Sequence, residues 1–306
     1  MSVDNLIIDG TNLEFRIFYI AKNFKTTNDN NEQTSCIFRF LYTLKGLIEK
    51  FDPVNVYAAW DKKLDRDSTN FRKQLLIDQY KAGRIRPPDI QDMYDQEIHL
   101  IEIIESLGVR SIFPKVLEAD DVCAFLADTL PGKNVVVSVD QDLLQLVSEN
   151  TSVYNLKELI TYENFINKKN IKPEYFVLYK AIKGDPSDNI PGIPGYGEVR
   201  ARKLAEIWGN YKNIPEDNRP TLSEDYKRIL SRNLRAMDLR YGYEYQPGEK
   251  ECYEHQLEYV RDRDGDINKF KKLCEKHGFN TYIDNIDEWK KIVNRNNIFK
   301  LINKLL

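Results

Sequence analysis

The sequence predicts an α/β fold in which helices flank a central, mostly parallel sheet. Short apolar runs rich in β-branched residues indicate buried strands at 6–9, 54–60, 109–113 and 135–139. Amphipathic patterns between those runs predict helices at 35–51, 89–107 and 120–130. Strands that alternate with helices form βαβ units, and such units place their strands in parallel.

The chain changes character in its second half. After Ser152 we expect mainly helices, two of them formed by segments 160–170 and 173–184. We therefore divide the 306 residues into an α/β core at 1–160, which includes a basic insert at 62–96, and a mainly helical region at 161–306.

The composition is typical of a globular protein, with 42% hydrophobic and 30% charged residues. No run of about 18 apolar residues indicates a membrane span. The N-terminus lacks the basic region and the long apolar core of a signal peptide. We therefore expect a cytoplasmic protein that makes no membrane contact.

Acidic residues gather where the predicted strands end. Seven of them follow an apolar run or open the helix after one: Asp9, Asp61, Glu118, Asp120, Asp121, Asp140 and Asp142. The carboxyl ends of parallel strands meet at one edge of a sheet, which is where α/β proteins bind ligands. A solvated acidic rim explains any one of these residues but not all seven. Because Mg²⁺ prefers oxygen ligands, the pattern predicts a site for divalent cations.

A basic segment follows the second strand. The formal net charge of the chain is −3, which taken alone argues against a nucleic-acid partner. Residues 62–86, however, contain eight basic and only three acidic residues. A local surplus of this size attracts phosphate. The alternative is a solvated surface loop, but an insert of this length beside an acidic edge favours a binding element.

Segment 184–209 contains a glycine-rich turn between two helical patterns. Gly195-Tyr-Gly197-x-x-x-Ala201 fits the turn of a helix–hairpin–helix motif. The glycines allow the backbone to approach a phosphate, and the following helix N-terminus offers free N–H groups to it. Three basic residues follow on that helix: Arg200, Arg202 and Lys203. The motif predicts binding to a nucleic-acid backbone without readout of base sequence.

The four cysteines are scattered and imply no disulfide framework. Two Cys-x-x-His pairs, Cys252 with His255 and Cys274 with His277, could together form a four-ligand zinc site. The alternative, which we favour, places Cys274 on the buried face of a helix. His277 then lies in the last turn of that helix, where a positive charge suits the helix dipole.

These motifs, in this order, resemble the flap endonuclease / 5′–3′ exonuclease family, above all the 5′-nuclease domain of bacterial DNA polymerase I and the stand-alone phage 5′-exonucleases. The resemblance covers about residues 3–210 and rests on IIDGTNLEFR, AAWD, FRKQLLIDQYKAGR, VLEADDV, SVDQDLLQLV and KAIKGDPSDNIPGIPGYGEVRA. It implies a PIN-like 5′-nuclease fold and a stand-alone nuclease in a bacterial or infected-host cytoplasm. One departure is the stretch KLDRDSTN, which lengthens the link between Asp61 and the Phe-Arg pair.

The resemblance also implies two divalent ions, Mg²⁺ or Mn²⁺. Residues at the family's first metal site are Asp9, Asp61, Glu118 and Asp120. Residues at its second metal site are Asp121, Asp140, Asp142 and Asp188, with Asp185 in support. Residues assigned directly to catalysis are Lys81, Arg84, Asp9 and Asp121.

The family's contacts to DNA map onto two regions of this chain. The insert at 62–96 would form an arch that grips a 5′ single strand, and the hairpin would hold the duplex and often a K⁺ ion. The residues implied in DNA binding are Arg16, Arg72, Lys73, Tyr80, Lys81, Arg84, Gly195, Gly197, Arg200, Arg202 and Lys203. The implied partners are DNA with 5′ flaps or 5′ ends and RNA–DNA hybrids, bound by a monomer. We expect the arch to be mobile without DNA because it has few apolar residues to pack.

The implied activity is that of a 5′–3′ exonuclease and 5′-flap endonuclease acting on branched or RNA-primed DNA in replication and repair. Two metal ions can activate a water and stabilise the leaving oxygen in such a reaction. A PIN-like ribonuclease is one alternative, although those domains lack the insert and the hairpin. A non-catalytic branched-DNA-binding protein is another, but no carboxylate is missing here. A phosphatase that uses Asp140-x-Asp142 would give the hairpin no role.

Overall fold

The computed structural model describes residues 2–21, 26–28, 32–61, 71–76, 81, 87–209 and 222–293. The elements of the first half are β1 Val3–Asp9, α1 Gly10–Ala21, α2 Ser35–Phe51, β2 Pro53–Ala59, α3 Phe71–Leu75, α4 Ile90–Ser106, β3 Arg110–Ile112 and α5 Ala119–Thr129. They are followed by β4 Asn134–Val137, a 3₁₀ turn at Asp142–Leu146, β5 Thr151–Tyr154 and β6 Leu159–Ile160.

The six strands β1 to β6 form one sheet in the order β3-β2-β1-β4-β5-β6. The pairs from β3 through β5 are all parallel, and only the edge strand β6 is antiparallel to its neighbour. Leu6 of β1 lies opposite Val56 of β2 and Val135 of β4, so the centre of the sheet is a continuous apolar layer. The predicted central, mostly parallel sheet is confirmed.

Both faces of the sheet are covered by helices. Ile7 belongs to a hydrophobic cluster on one face, whereas its neighbours Leu6 and Ile8 belong to a cluster on the other face. This alternation follows from the two-residue period of a strand. Helix α5 packs into the first cluster, and helices α1, α2 and α4 pack into the second. The sheet edge at the carboxyl ends of β1, β2 and β4 remains available for a site.

The rest of the chain is mainly helical. Its elements are α6 Tyr162–Lys169, a 3₁₀ turn at Pro173–Tyr175, α7 Phe176–Lys183, β7 Gly184–Asp185, a 3₁₀ turn at Pro186–Asp188, β8 Ile190–Pro191, α8 Glu198–Trp208, α9 Glu224–Met237, α10 Leu239–Tyr245, α11 Glu249–Val260, α12 Ile267–Lys276 and α13 Asn280–Asp284. Helices α7 to α11 extend the first cluster, and α12 and α13 extend the second. The division at residue 160 stays a prediction, because residues from both sides of it pack into each cluster.

Several boundaries differ from the sequence prediction. Ser152 lies inside strand β5, so the sheet continues past the point where we expected helices only. Helix α1 had no sequence assignment, although its buried Leu13, Ile17 and Phe18 lie on one helical face. Helix α4 (Ile90–Ser106) confirms the predicted helix at 89–107, so only the end of the insert 62–96 was misplaced: its last part belongs to this helix and buries Met93.

The predictions about the mobility and the shape of the arch concern mainly residues 62–70, 77–80 and 82–86. These residues lie outside the described part of the chain. Within the described part of the chain, none of the helices is long and apolar enough to cross a membrane.

Candidate active site

Asp9, the last residue of β1, lies at the carboxyl edge of the sheet and is buried. Its Oδ2 accepts a hydrogen bond from the Ser138 hydroxyl at 2.8 Å, and its Oδ1 accepts one from the backbone N–H of Asn12 at 3.2 Å. Burial raises the pKa of Asp9 to about 7, and the charges of Asp61 and Asp140 act in the same direction. The carboxylates at three strand ends are therefore close enough to repel one another.

Asp61 follows β2 and joins it to the start of α5. Its backbone N–H donates to the Thr11 hydroxyl at 2.7 Å, and its Oδ1 accepts from the backbone N–H of Ala119 at 2.7 Å. Part of the residue reaches solvent, but desolvation of its carboxyl group raises the pKa of Asp61 to about 6, with a further contribution from the charge of Glu118. The contact to α5 fixes this carboxylate beside Glu118.

The residue before α5, Glu118, caps that helix and is held by two cations. Its Oε1 accepts from Lys81 Nζ at 2.7 Å, and its Oε2 accepts from Arg72 Nη1 at 3.1 Å. The next acid, Asp120, accepts the backbone N–H of Asp121 at 2.9 Å. Burial raises the pKa of Asp120 well above its usual value, and the charge of Asp121 adds to that effect.

Asp121 is paired with Arg72, which also reaches Glu118. Both of its carboxylate oxygens accept hydrogen bonds from Arg72, each at 2.7 Å, and Oδ2 also accepts from the backbone N–H of Glu118 at 3.0 Å. Its side chain has no exposed surface. In this structure the oxygens of Asp121 serve an internal ion pair with Arg72, so its assignment as a catalytic residue and a ligand of the second ion stays a prediction.

The same contacts occupy Arg72, whose assignment to DNA binding stays a prediction. Its side chain is only 3% exposed, and its Nε donates to the backbone carbonyl of Ala236 at 2.9 Å. A guanidinium whose fork is directed at buried carboxylates cannot also present that fork to a phosphate. Arg72 therefore ties α3 to α5 and α9 in this structure.

Lys81 lies between the acids at the start of α5 and the turn that contains Asp188. Its Nζ donates to Glu118, and its backbone N–H donates to the carbonyl of Asp188 at 3.3 Å. The residue has a φ of 56°, in the left-handed region that non-glycine residues seldom occupy. Desolvation lowers the pKa of Lys81, but the charges of Glu118 and Asp120 outweigh it, so that pKa is raised and the ammonium stays charged.

The sequence assignment missed Lys180, a residue of α7. Its ammonium pairs with Asp142 and also lies 2.9 Å from Oδ2 of Asp185. Asp185 accepts further hydrogen bonds from Ser187, and Asp188 is buried in the same turn. The signal available in the sequence was the spacing of Lys180 five residues before Asp185, at the end of a helix that leads into the acidic turn.

Carboxylates and cations alternate along this sheet edge. Within the described residues, no three Asp, Glu, His or Cys side chains converge as metal ligands. The ammonium of Lys180 lies between two carboxylates, where its positive charge takes the place of a metal ion. Lys81 and Arg72 supply positive charge in the same way at Glu118. The donor atoms are all carboxylate oxygens, and burial, with a smaller contribution from neighbouring carboxylates, raises the pKa values of Asp9 and Asp61. This set of donors fits hard divalent cations, which would relieve the repulsion.

The glycine-rich turn connects α7 to α8 through the two-stranded hairpin β7–β8. Gly195 has a φ of 81°, a left-handed conformation that favours glycine. Gly197 directly precedes α8, and open space surrounds the position of an added Cβ there. Arg200 and Lys203 are exposed, although Arg200 donates to the carbonyl of Gly195 at 3.1 Å. Arg202 pairs with Glu198 at 2.9 Å.

A protein-family model described as 5′–3′ exonuclease, N-terminal resolvase-like domain, matches residues 4–175. The chain belongs to the 5′–3′ exonuclease family. A 5′–3′ exonuclease of Buchnera aphidicola is 30% identical to it over 215 residues, which cover 68% of this chain and 72% of that protein. DNA polymerase I of Lactococcus lactis is 34% identical over 227 residues, which cover 69% of this chain. The match takes in only 25% of the polymerase, so the chain spans about a quarter of that relative.

A solved flap endonuclease of bacteriophage T5, crystallised with DNA and metal ions, has a similar fold. The TM-score is 0.64 at 22% sequence identity, and the match covers 85% of this chain and all of that one. The predicted membership in the 5′–3′ exonuclease family and the predicted PIN-like 5′-nuclease fold are thereby confirmed.

Other residues of this exonuclease-family chain were assigned to DNA binding from the sequence. Arg16 lies half-buried on α1, and Lys73 is exposed on α3. Tyr80 and Arg84 lie outside the described residues, so their roles stay predictions.

The zinc alternative is wrong for the described residues, which include all four candidate ligands. Cys252 lies beside the hydrophobic cluster on one face of the sheet and accepts a hydrogen bond from Gln256 at 3.1 Å. Cys274 lies inside the cluster on the opposite face. His277 is buried near the His99 ring, whereas His255 is exposed.

Proposed function

We propose that this chain is a structure-specific 5′ nuclease, a 5′–3′ exonuclease and 5′-flap endonuclease that hydrolyses phosphodiesters of branched or RNA-primed DNA in replication and repair. One observation carries the proposal. Carboxylates from the ends of β1, β2 and β4, from the start of α5 and from the 185–188 turn meet at one sheet edge, directly beside a helix–hairpin–helix. Family membership points to the same chemistry.

The acids that would hold the metal ions divide into two groups. The first ion would be held by Asp9, Asp61, Glu118 and Asp120. The second would be held by Asp121, Asp140, Asp142 and Asp188, with Asp185 in support. Two bound divalent ions, Mg²⁺ or Mn²⁺, supply an activated water and stabilise the leaving oxygen of an in-line displacement. Asp9 and Asp61 must give up the protons that their raised pKa values favour before they can act as ligands.

Lys81 stabilises negative charge on the phosphoryl group that is attacked. Its ammonium stays protonated, so it acts as a fixed positive charge and not as a general base. Because Lys81 also contacts Glu118 and the Asp188 carbonyl, it bridges the two groups of acids. Arg84 would add a second positive charge from the same segment.

The hairpin would hold the duplex part of the substrate by its phosphates. Gly195 and Gly197 allow close approach, and Arg200, Arg202 and Lys203 supply positive charge. A K⁺ ion would bind at the hairpin carbonyls and complete this contact. The substrates are DNA with 5′ flaps or 5′ ends and RNA–DNA hybrids, cut by a monomer in the cytoplasm.

The decisive experiment is cleavage of an end-labelled 5′-flap DNA in Mg²⁺ and in EDTA, beside an unbranched single-stranded RNA. We expect metal-dependent cutting near the flap junction. Asp140→Asn should abolish it, whereas Asp95→Asn, an exposed acid on α4, serves as the matched control. Lys81→Ala should lower kcat by roughly 100- to 1,000-fold, the effect of removing one donor that stabilises developing charge.

Three other outcomes would overturn the proposal. Binding of the flap without cutting would indicate a non-catalytic branch-binding protein. Preferential cutting of the RNA would indicate a PIN-like ribonuclease. Hydrolysis of a small phosphate ester in place of DNA would indicate a phosphatase.

A further inference from the structure

A cavity of about 790 Å³ lies between the catalytic acids and the hairpin. One side of it is formed by acids of the second group, among them Asp140, Asp142 and Asp188. The other end reaches Glu198 and Arg202 in the first turns of α8, directly after the glycine-rich turn. A strand held at the hairpin and cut at the acids has to cross this cavity.

Lysines line the same cavity as these acids. Lys168 and Lys169 end α6, and Lys183 ends α7. These three residues, which we call the basic wall, carry no role in the family motifs described above. Lys168 pairs with Glu158 and is therefore neutralised.

Lys169 and Lys183 are not neutralised by the protein. Lys169 donates to the neutral side-chain oxygen of Gln141 at 2.6 Å, and the Lys183 ammonium lies 5.6 Å from the centre of the Tyr179 ring. Within the described residues, neither ammonium has a carboxylate at ion-pair distance. Desolvation lowers the pKa of Lys169; the charge of Glu158 opposes this, and the positive charges of Lys168 and Lys183 act with it.

Two like charges brought together at the wall of a cavity favour an anion between them. We propose that Lys169 and Lys183 bind a backbone phosphate of the nucleic-acid strand between the hairpin and the scissile phosphodiester. The inference rests on the proposed nuclease function and adds a binding site to it. The contact is to phosphate, so it supplies affinity and register without readout of base sequence.

The test measures binding of a 5′-flap DNA in Ca²⁺ at several salt concentrations for Lys169→Gln, Lys183→Gln and wild-type protein. Lys172→Gln is the matched control, because Lys172 is an exposed lysine of the same region that does not line the cavity. Each lost phosphate contact should reduce the steepness of log K against log salt by about 0.9. Between 50 and 200 mM salt, the affinity of the variant should therefore fall about threefold less than that of wild type. Lys172→Gln should retain the wild-type slope.

The outcomes separate this inference from the proposed function. If wild-type protein cuts the flap but both cavity variants keep its salt slope, the inference is wrong and the nuclease function stands. If the slopes fall as expected but wild-type protein does not cut in Mg²⁺, the phosphate site stands and the nuclease function is wrong. A second measurement compares binding of a 5′-mononucleotide by the same variants and wild type. If the variants bind the mononucleotide differently but keep the wild-type salt slope for the flap DNA, the inference is wrong, because the basic wall would then hold a free nucleotide.

Discussion

Arg72 and Asp121 form a two-pronged ion pair that is almost completely withdrawn from solvent. Two guanidinium nitrogens each donate to a different carboxylate oxygen at 2.7 Å, and the two side chains are 3% and 0% exposed. The same guanidinium reaches Glu118 at 3.1 Å and the carbonyl of Ala236 at 2.9 Å. Arg72 therefore joins α3 to α5 and α9 beside the acids of the candidate active site.

Removing one partner of this pair should destabilise the protein strongly. Arg72→Ala leaves the Asp121 carboxylate buried without its counter-charge, which typically costs about 3–5 kcal/mol. We expect a loss of this size in the free energy of unfolding, measured with urea at pH 7 in EDTA. Lys73→Ala, at the exposed neighbouring position on α3, should change it by less than about 0.5 kcal/mol.

A double-mutant cycle tests whether the pair itself is responsible. Replacing both residues by apolar ones, Arg72→Met with Asp121→Leu, removes both charges and should be less destabilising than the sum of the single changes. Additive losses would show that Arg72 stabilises the fold through other contacts. Asp121→Asn should likewise lower stability, whereas Asp140→Asn should lower activity and leave stability unchanged.

The raised pKa of Asp9 should make stability depend on pH in the absence of metal. Between the usual aspartate pKa near 4 and about 7, folded Asp9 retains a proton that the unfolded chain releases. The free energy of unfolding therefore decreases as pH rises through this window. Asp9→Asn removes this pH-dependent contribution to the free energy of unfolding. The free energy of unfolding of the variant, relative to that of wild type, should therefore increase from pH 4 to pH 7 by on the order of 2–4 kcal/mol.

Urea unfolding in EDTA at several pH values measures this difference. Asp284→Asn, an exposed acid on α13, should show no pH-dependent difference from wild type. Excess Mg²⁺ should remove the effect, because metal binding requires the deprotonated carboxylate. A constant difference between Asp9→Asn and wild type across the window would contradict the raised pKa.

The sequence predicted the sheet and its acidic edge because both depend on local patterns. β-branched runs specify buried strands, and a parallel sheet brings the residues after its strands to one edge. Asp9, Asp61 and Asp140 are therefore placed by local sequence and topology alone. Strand β5 escaped prediction because it is four residues long and begins with two polar residues, Thr151 and Ser152, so it forms no apolar run.

The direction of a side chain within the edge depends on distant partners. Asp121 follows Asp120 directly, yet it alone forms a two-pronged ion pair with Arg72, and that partner lies 49 residues earlier in the chain. Lys180 was missed for a related reason. Its spacing before Asp185 was a local signal, but its pairing with Asp142, which is 38 residues away, could not be predicted from a local pattern.

Lys180 should compete with metal binding at the second group of acids. Its ammonium pairs with Asp142 and Asp185, so a bound cation has to displace it or share those oxygens. Lys180→Met keeps the length of the side chain, removes that competitor and makes the local charge one unit more negative. We expect tighter binding of Mn²⁺ by calorimetry, by roughly tenfold, since affinity rises with the net negative charge of the ligands.

Lys172→Met is the matched control, because Lys172 lies outside the cavity that contains the second group. Its affinity for Mn²⁺ should equal that of wild type. Weaker Mn²⁺ binding by Lys180→Met would show that the lysine orients Asp142 and Asp185 as ligands and does not compete with the ion.

Glu249 should act as a positioning residue for the acids at the start of α5. Its side chain is fully buried on α11, and its carboxylate accepts the backbone N–H of Val116 at 2.6 Å and that of Lys115 at 3.1 Å. This contact fixes the backbone two residues before Glu118. Glu249→Gln presents an amide donor toward those N–H groups, so we expect the loop to shift and the half-saturating Mg²⁺ concentration for cleavage to rise about tenfold, as for loss of an outer-shell partner of a metal site.

A purely structural role for Glu249 would lower stability and leave the Mg²⁺ dependence of cleavage unchanged. Both quantities should therefore be measured in the same variant, below its unfolding temperature. Glu251→Gln, an exposed acid on the same helix, should change neither. If Glu249→Gln loses stability but retains the wild-type Mg²⁺ titration, α11 supports the fold without positioning the ligands. A shifted titration in a folded variant would instead show that α11, which lies beyond the motifs shared with the family, helps to position the metal ligands.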